Sequence, residues 1–259
     1  CDIGSTTGKA VVLRDDQLVA SALIPSRIDP EKTAREVLGL ACDEAEGLGG
    51  PDELAYVVGT GYGRNEVPFA DENVSELSCH ALGAHHCDST IRTLIDIGGQ
   101  DVKAIALHDD GSVREFAMND KRAAGTGRFF EAMARIFQID LSAFAELSVG
   151  ATDLVPVTSQ CSVFAETEVI SLISQRVPPE HIAAGVQAAV AKRVFSLARR
   201  VGVAPALTVT GGCAHNRGLR KRLEQVLRLP VVPLSIDPQL MGALGAALLA
   251  ARRGRSGPP

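Results

Sequence analysis

The sequence lacks any apolar run long enough to cross a membrane as a helix, which takes about 18–20 residues. It also lacks an excess of positive charge, because 31 acidic residues outnumber 26 basic ones and the net charge is −5. The first absence argues against a membrane protein. The second argues against general nucleic-acid binding, which favours basic surfaces. We therefore expect neither a membrane nor a nucleic acid as a partner.

Paired cysteine motifs are missing too, since the six cysteines are scattered and none of them forms a C-x-x-C pair. Such a distribution is not typical of a disulfide framework or of a self-contained zinc site. No signal peptide is recognisable, and a reducing cytoplasm is the expected compartment. Because Cys1 stands directly before the Asp2-Ile-Gly of a predicted strand, we expect a few residues of that strand to precede it.

What the sequence does contain is a segment that occurs twice. Asp2–Val19 and Asp96–Val113, 94 positions apart, agree at nine of eighteen positions, including an Asp-Ile-Gly triplet and a Lys-Ala pair. Each copy predicts a strand, a glycine-containing turn, a second strand and an acidic turn. With 259 residues, this duplication favours two similar α/β domains. We place the first at 1–88 with a returning C-terminal helix at 236–259, and the second at 89–235.

The turn of the second copy predicts phosphate-handling chemistry. Without side chains, Gly98 and Gly99 allow backbone N–H groups to approach an anion, while Asp96 and Asp101 supply carboxylates for a metal ion. An ordinary hairpin whose glycines only serve the turn is the alternative for a single loop of this kind. Its recurrence at Asp2 favours two facing loops that bind one ligand between two domains.

Other glycine-rich segments adjoin predicted strands and helices. Gly125-Thr-Gly127 opens a helix, whose N–H groups and dipole favour an anion. Gly211-Gly212 ends a strand and leaves room for a flat base and ribose. Gly59–Arg64 is interpreted either as a flexible turn or as a loop lining the cleft between the domains. Cys161 stands at a further helix N-terminus, where a thiolate is stabilised, although an isolated cysteine is more often a buried apolar residue.

Two predicted helices are rich in small residues, one at Ser75–Ala84 and one at Pro238–Ala250. Small side chains let helix backbones approach closely, so we expect these helices at a crossing point between the domains, as a paired hinge. Alanine-rich core helices are the alternative. An earlier helix, Pro30–Ala45, is predicted to bury one apolar face formed by Ala34, Val37, Leu38 and Ala41.

Motifs spread over nearly the whole chain resemble those of one family. They are Asp2–Lys9, Thr60–Asn65, Ser75–His80, Ile95–Lys103, Asn119–Phe129, Cys161–Ser171 and Val209–Gly212. Their order resembles the superfold of actin, sugar kinases and heat-shock chaperone ATPases, in which two duplicated, ribonuclease H-like α/β domains clamp ATP in a cleft. Within that group, the chain resembles the ATPase activators of 2-hydroxyacyl-CoA dehydratases and the related ATPase subunits of benzoyl-CoA reductase.

The resemblance implies a nucleotide site to which both copies of the repeat contribute. Its implied catalytic residues, which would position Mg²⁺ and the attacking water, are Asp2, Asp96, Gln100 and Asp101. The implied ATP-binding residues are Gly4, Ser5, Thr6, Lys9, Gly98, Gly99, Gly125, Thr126, Gly127, Gly211, Gly212 and Asn216. Catalysis in such a site is mostly positioning and charge stabilisation.

The resemblance also implies an ATP-driven electron donor. In this family two subunits share one [4Fe-4S] cluster, each giving two cysteines, and pass an electron from a ferredoxin or flavodoxin to the dehydratase or reductase. One family cysteine falls on Cys161, but the other falls on Arg122, which cannot ligate iron. A homodimer would therefore supply two of four ligands. A heterodimer, loss of the cluster or one altered codon would each explain the difference.

Two other functions stay open. A kinase for a sugar or another small hydroxyl compound would share the acidic glycine loops, although it would need neither Gln100 nor the helix that follows Cys161. A nucleotide-sensing subunit would bind ATP and regulate a partner without turnover. A phosphorylated product without an iron requirement would identify the kinase, and tight ATP binding without hydrolysis would identify the sensor.

Overall fold

The computed structural model describes residues 1–119, 126–158 and 162–256. Its strands are β1 (Asp2–Ile3), β2 (Thr7–Arg14), β3 (Gln17–Pro25), β4 (Val58–Gly59), β5 (Glu72–Asn73), β6 (Thr93–Ile97), β7 (Val102–Leu107), β8 (Val113–Met118) and β9 (Leu207–Thr210). Its α-helices are α1 (Pro30–Glu44), α2 (Glu76–Cys87), α3 (Gly127–Phe137), α4 (Leu141–Leu147), α5 (Ser162–Ser174), α6 (Pro179–Ala198), α7 (Arg217–Leu227) and α8 (Met241–Ser256). Within these described ranges, no helix combines the length and apolarity needed to span a bilayer.

The described residues form two compact units. The first takes those within Cys1–Ile91, Leu107–Val113 and Leu234–Pro259, and the second takes those within Arg92–Ala106 and Arg114–Pro233. Each unit contains one copy of the repeated hairpin, which is β1–β2 in the first and β6–β7 in the second. The mixed α/β fold class predicted from the sequence is confirmed.

The first unit is built on the antiparallel sheet β1-β2-β3. Side chains alternate along β2, so that Ala10 and Val12 join the core beneath α1, while Val11 joins the core beneath α8. Helix α1 begins where the Asp29 carboxylate accepts hydrogen bonds from the N–H groups of residues 31 and 32. Its buried face contains the four apolar residues that helical periodicity predicted.

The two helices rich in small residues pack against each other within the first unit, as their small side chains predicted, and the hinge between the domains stays a prediction. A Cβ atom added to Gly83 of α2 would overlap the backbone carbonyl of Met241. One added to Gly245 of α8 would overlap the carbonyl of Cys79. The glycines are therefore required because the two helix backbones are in direct contact.

The second unit contains a four-stranded sheet in the order β8-β7-β6-β9. Every residue of β6 and of β7 is buried, as expected for central strands covered on both faces. The core includes residues from α3, α6 and α7, among them Phe130, Ile182 and Leu219. Strand β6 pairs antiparallel with β7 and parallel with β9. This arrangement brings the end of β9 beside Asp96.

Candidate functional site

In the first unit, the β1–β2 hairpin places a buried carboxylate beside an ammonium group. Asp2 and Lys9 are direct partners in the strand register, and Lys9 Nζ lies 3.3 Å from Asp2 Oδ2. The turn between the strands is closed by a 3.0 Å hydrogen bond from the Gly4 N–H to the Thr7 carbonyl. Asp2 is only 3% exposed, so its negative charge needs the lysine to compensate for burial.

The β6–β7 hairpin of the second unit repeats this geometry. Asp96 and Lys103 are register partners, and Lys103 Nζ lies 3.3 Å from Asp96 Oδ2. The Gly98 N–H donates to the Asp101 carbonyl at 3.0 Å, which is the counterpart of the bond that closes the first turn. The sequence repeat is therefore a structural repeat with the same aspartate–lysine pair and the same turn.

The second hairpin carries additional polar contacts. Asp101 occupies the position where the first copy has a threonine. Its Oδ1 forms a salt bridge with Lys103 Nζ at 2.9 Å. The Thr210 hydroxyl at the end of β9 donates to Asp96 Oδ1 at 2.9 Å. Both carboxylate oxygens of Asp96 are thus oriented, one by Lys103 and the other by Thr210. A carboxylate held this firmly is suited to position a hydrated cation or a water molecule.

A second repeated element was missed by the sequence reasoning, which interpreted Gly59–Arg64 as a glycine-rich loop. The backbone of Thr60 forms a parallel β-bridge with Asp2 in the first unit, and Thr210 pairs with Asp96 in the parallel β6–β9 register of the second. The next residues, Gly61 and Gly211, have φ values of 88° and 79°. The shared sequence signal is short, a Thr-Gly pair after a strand, and the offset between its copies differs from 94.

These two glycines are required for steric reasons. A Cβ atom on Gly61 would lie 2.8 Å from the carbonyl carbon of Ile3, and one on Gly211 would lie 2.8 Å from that of Ile97. The same Cβ atoms would also approach the carboxylates of Asp2 and Asp96. A side chain at either position would therefore displace the strand end that presents the aspartate.

The predicted anion loop before α3 is only partly described, because Gly125 lies outside the described residues. Thr126 is buried and precedes the first helical residue. The N–H groups of Gly127 and Arg128 donate to the carbonyls of Gly98 and Gly99 at 2.9 and 3.0 Å. The start of α3 is therefore attached to the turn of the second hairpin, and these two N–H groups are used within the protein.

The predicted base-and-ribose segment lies in a short 3₁₀ turn, Gly212–His215, between β9 and α7. Asn216 then caps α7, since its side-chain oxygen accepts the Leu219 N–H at 2.9 Å. Gln187 donates to the same oxygen at 3.2 Å and also contacts the Ser148 hydroxyl. Asn216 is buried, and a fully buried glutamine supports the turn.

The remaining predicted site residues differ in exposure. Gln100 is exposed, whereas Gly4, Ser5, Thr6 and Gly99 are half-buried at the two turns. Cys161, the predicted metal ligand, and Arg122 both lie outside the described residues. In the part of the chain that the structure describes, no group of three or more His, Cys, Asp or Glu side chains is placed to hold a metal ion.

Two buried cysteines near these hairpins are held as neutral thiols. Desolvation by burial, with a further contribution from Asp96, raises the pKa of Cys213 to about 12. Burial likewise raises the pKa of Cys79 to about 11, against a hydrogen bond with Thr60 that lowers it. Since the thiolate is the reactive and metal-binding form, neither residue is suited to that role in this structure.

We expect Lys103→Met to destabilise the protein more than Lys9→Met does. Lys103 compensates two carboxylates and is 3% exposed in its side chain, whereas Lys9 compensates one and is 12% exposed. Breaking a buried ion pair costs about 3–5 kcal/mol, because one charge stays buried without its partner. Urea unfolding measured by circular dichroism, with amide hydrogen exchange of β1–β2 and β6–β7, checks this order. An equal or larger loss for Lys9→Met would contradict it.

Comparison with known proteins identifies relatives along almost the entire chain. Residues 1–250 match the BadF/BadG/BcrA/BcrD ATPase family. The activator of lactoyl-CoA dehydratase from Anaerotignum propionicum is 45% identical, over 96% of this chain and 95% of its own length. The (R)-2-hydroxyglutaryl-CoA dehydratase activating ATPase from Acidaminococcus fermentans is 43% identical, over 97% and 96%. One of the subunits of benzoyl-CoA reductase from Thauera aromatica is 33% identical, over 97% and 92%.

Solved structures agree with this result. The activator of 2-hydroxyisocaproyl-CoA dehydratase from Clostridium difficile, with bound ADPNP, superposes with a TM-score of 0.92 at 41% identity, covering 98% of this chain and 94% of that one. A ROK family glucokinase from Streptomyces griseus gives a TM-score of 0.57 at 14% identity, covering 97% and 98%. The second likeness shows the fold alone, which is that of actin-like ATPases and sugar kinases.

Proposed function

Because the chain belongs to the BadF/BadG/BcrA/BcrD ATPase family, we propose that it is an ATP-hydrolysing activator or reductase subunit. Its partner would be a 2-hydroxyacyl-CoA dehydratase or a benzoyl-CoA reductase, as the names of its relatives suggest. The proposal includes the two-domain division predicted from the sequence, ATP bound between the domains and a cytoplasmic location.

The observation that carries the proposal is the repeated hairpin with its aspartate–lysine pair. Two turns of the same geometry, each closed by a glycine N–H, are each followed by a lysine that pairs with the buried aspartate. The proposal assigns these turns and lysines to phosphate oxygens. In this proposal Ser5, Thr6, Lys9 and the Gly98–Asp101 turn bind the β- and γ-phosphates. The glycines of the segments before α3 and α7 receive the remainder of the nucleotide.

Carboxylates of the hairpins would hold a magnesium ion. Mg²⁺ prefers oxygen ligands, keeps several of its waters and is usually held by one or two carboxylates, which Asp96 and Asp101 of the second hairpin would supply beside Lys103. Asp2, beside Lys9, is the corresponding carboxylate of the first hairpin. When bound, Mg²⁺ would neutralise part of the phosphate charge. Asp96, fixed by Thr210 and Lys103, would orient the attacking water. The exposed Gln100 would help to position the same water molecule.

A [4Fe-4S] cluster fits the chain's own residues poorly. The described cysteines are buried or half-buried, and Arg122 occupies a position where the family has a ligand. Cys161 is the remaining candidate ligand, so two identical chains would offer two thiolates for a four-cysteine cluster. We therefore derive no step through a cluster. We propose instead that low-potential electron transfer, with ferredoxin or flavodoxin as donor, requires a second type of subunit that completes the ligand set.

The test is anaerobic purification of the chain alone and together with the products of its neighbouring genes, followed by phosphate-release assays and counts of iron and sulfide. We expect ATP hydrolysis in both preparations, and about four iron per dimer only with the second subunit. Cys161→Ser should remove that iron, whereas Cys87→Ser, the matched control, should retain it. Absence of hydrolysis in both preparations would contradict the proposed ATPase. Four iron in a homodimer would contradict the heterodimer.

Arg122 favours one second candidate, a nucleotide-sensing subunit without a cluster. The guanidinium cannot bind iron, while the hairpins that would bind the nucleotide are both present. Such a subunit would bind Mg·ATP tightly, regulate its partner and release little phosphate. Comparing the dissociation constant of ATP with its rate of hydrolysis distinguishes the two functions. A phosphorylated sugar in place of free phosphate would instead identify a kinase.

A further inference from the structure

The Ser75–His80 motif has no role in the site described above, although it is part of the family resemblance. Ser75 caps α2 through its hydroxyl, which accepts the Leu77 N–H. Cys79 and His80 follow on the buried side of the helix, and His80 is 6% exposed. A buried imidazole is uncommon unless polar groups lie close to it.

Helix packing fixes the position of His80. Gly83 of α2 lies against the Met241 carbonyl, and Gly245 of α8 lies against the Cys79 carbonyl, so that neither helix can slide along the other without a backbone overlap. The Cys79 thiol also hydrogen-bonds with Thr60, whose backbone bridges Asp2. The part of α2 that carries His80 is thereby connected to the strand that carries Asp2.

Gly242, in the first turn of α8, marks the point where the two side chains converge. A Cβ atom added there would lie 2.7 Å from Asp2 Oδ2 and 2.9 Å from His80 Nε2. The absence of a side chain at Gly242 therefore leaves the carboxylate and the imidazole facing the same small space. The N-terminal end of α8 lies beside both groups.

The two halves of the repeat differ in the group that accepts the hydrogen bond of the equivalent threonine hydroxyl. Thr210 donates its hydroxyl to Asp96 Oδ1 at 2.9 Å. Thr60, its counterpart beside Asp2, donates instead to the carbonyl of Val74 at 2.9 Å. The hydroxyl that orients one aspartate is thus directed elsewhere in the other half, where the imidazole Nε2 faces the side of Asp2 that carries Oδ2, the oxygen that Lys9 also approaches.

We propose that His80 is a positioning residue that orients the Asp2 carboxylate from the side of Oδ2. This inference deepens the proposed function and rests on it for the kinetic effect. In this role His80 holds Asp2 in the geometry that a hydrated magnesium ion and the phosphates require, with Lys9 on the same carboxylate.

The kinetic test compares His80→Ala, His80→Gln and His86→Ala, the last being an exposed histidine on the same helix. We expect His80→Ala to lower kcat for ATP hydrolysis about 10- to 100-fold, with KM for ATP changed less than about twofold. The glutamine variant keeps a side-chain N–H near the position of Nε2, so it should recover most of the rate. The His86 variant should match the unsubstituted protein. Full activity of His80→Ala, or equal losses in the alanine and glutamine variants, would overturn the inference.

A spectroscopic test separates this inference from the proposed function, because it does not depend on hydrolysis. The ring ¹⁵N chemical shifts of His80, assigned with His80→Gln, should move in Asp2→Asn. They should stay in place in Asp96→Asn, which changes the equivalent carboxylate of the other half. Unchanged shifts in Asp2→Asn would refute the pairing even if the protein hydrolyses ATP. Moved shifts in a protein without ATPase activity would retain the pairing and refute only the proposed function.

Discussion

Asp96→Asn is expected to lower kcat for ATP hydrolysis by about 100-fold or more while leaving the fold intact. The change removes one negative charge from a buried carboxylate whose two oxygens are oriented by Thr210 and Lys103. The fold should tolerate it because the asparagine amide still offers an acceptor to the threonine hydroxyl. Lys103 also retains Asp101 at 2.9 Å, so its ammonium is not left buried without an anion.

The measurement is phosphate release at saturating Mg·ATP, together with urea unfolding to verify the fold. Asp153→Asn is the matched control, because it makes the same substitution at an exposed position of the same unit. We expect it to hydrolyse ATP at the unsubstituted rate. A loss of folding free energy of about 1–3 kcal/mol in Asp96→Asn is compatible with the assignment. Unchanged hydrolysis in a folded Asp96→Asn protein would rule out the role proposed for this residue.

The second large effect concerns stability. Gly245→Ala is expected to destabilise the first unit by about 1–3 kcal/mol or more, because the added methyl group would overlap the Cys79 carbonyl of α2. Helix propensity by itself would favour alanine by about 1 kcal/mol, so steric overlap has to exceed that gain. Since α2 also carries His80, a shift of this helix should reduce ATP hydrolysis as well.

Gly39→Ala provides the control for the backbone effect. Gly39 also lies inside a helix, α1, but a Cβ atom there would meet nothing within 4 Å. We expect this variant to be more stable by about 0.5–1 kcal/mol, as an unhindered glycine-to-alanine change in a helix should be. Thermal unfolding of both variants, with hydrogen exchange to identify the affected unit, checks the pair. A stabilised Gly245→Ala protein would show that the helices can separate without cost.

Local patterns predicted the elements correctly wherever a short stretch of chain decides the structure. Helix α1 begins at its capping aspartate and buries the face that its periodicity indicates. The two hairpins follow from adjacent strands joined by a glycine turn. The alignment of the two copies, 94 positions apart, had already matched Asp2 with Asp96 and Lys9 with Lys103. These features depend on neighbours in sequence, so pattern and turn chemistry are sufficient to identify them.

The detailed contacts between the small-residue helices could not be derived in the same way. The sequence predicted that Ser75–Ala84 and Pro238–Ala250 form a pair of closely approaching helices, and they pack against each other within one unit. It did not indicate which residues of the two backbones are in contact. A glycine at a helix surface indicates that another backbone approaches closely, but only the folded structure identifies the atoms in contact.

The sequence by itself determined that this protein carries two copies of one aspartate–lysine hairpin, since both partners lie seven residues apart in each copy. Only the tertiary structure decided what else holds those aspartates. Thr210 reaches Asp96 across 114 positions of the chain, through parallel pairing that no turn specifies. The packing of two helices brings His80 and Asp2 to the same point beside Gly242. Antiparallel hairpins are encoded locally, whereas parallel pairing and helix contacts arise when distant segments fold together.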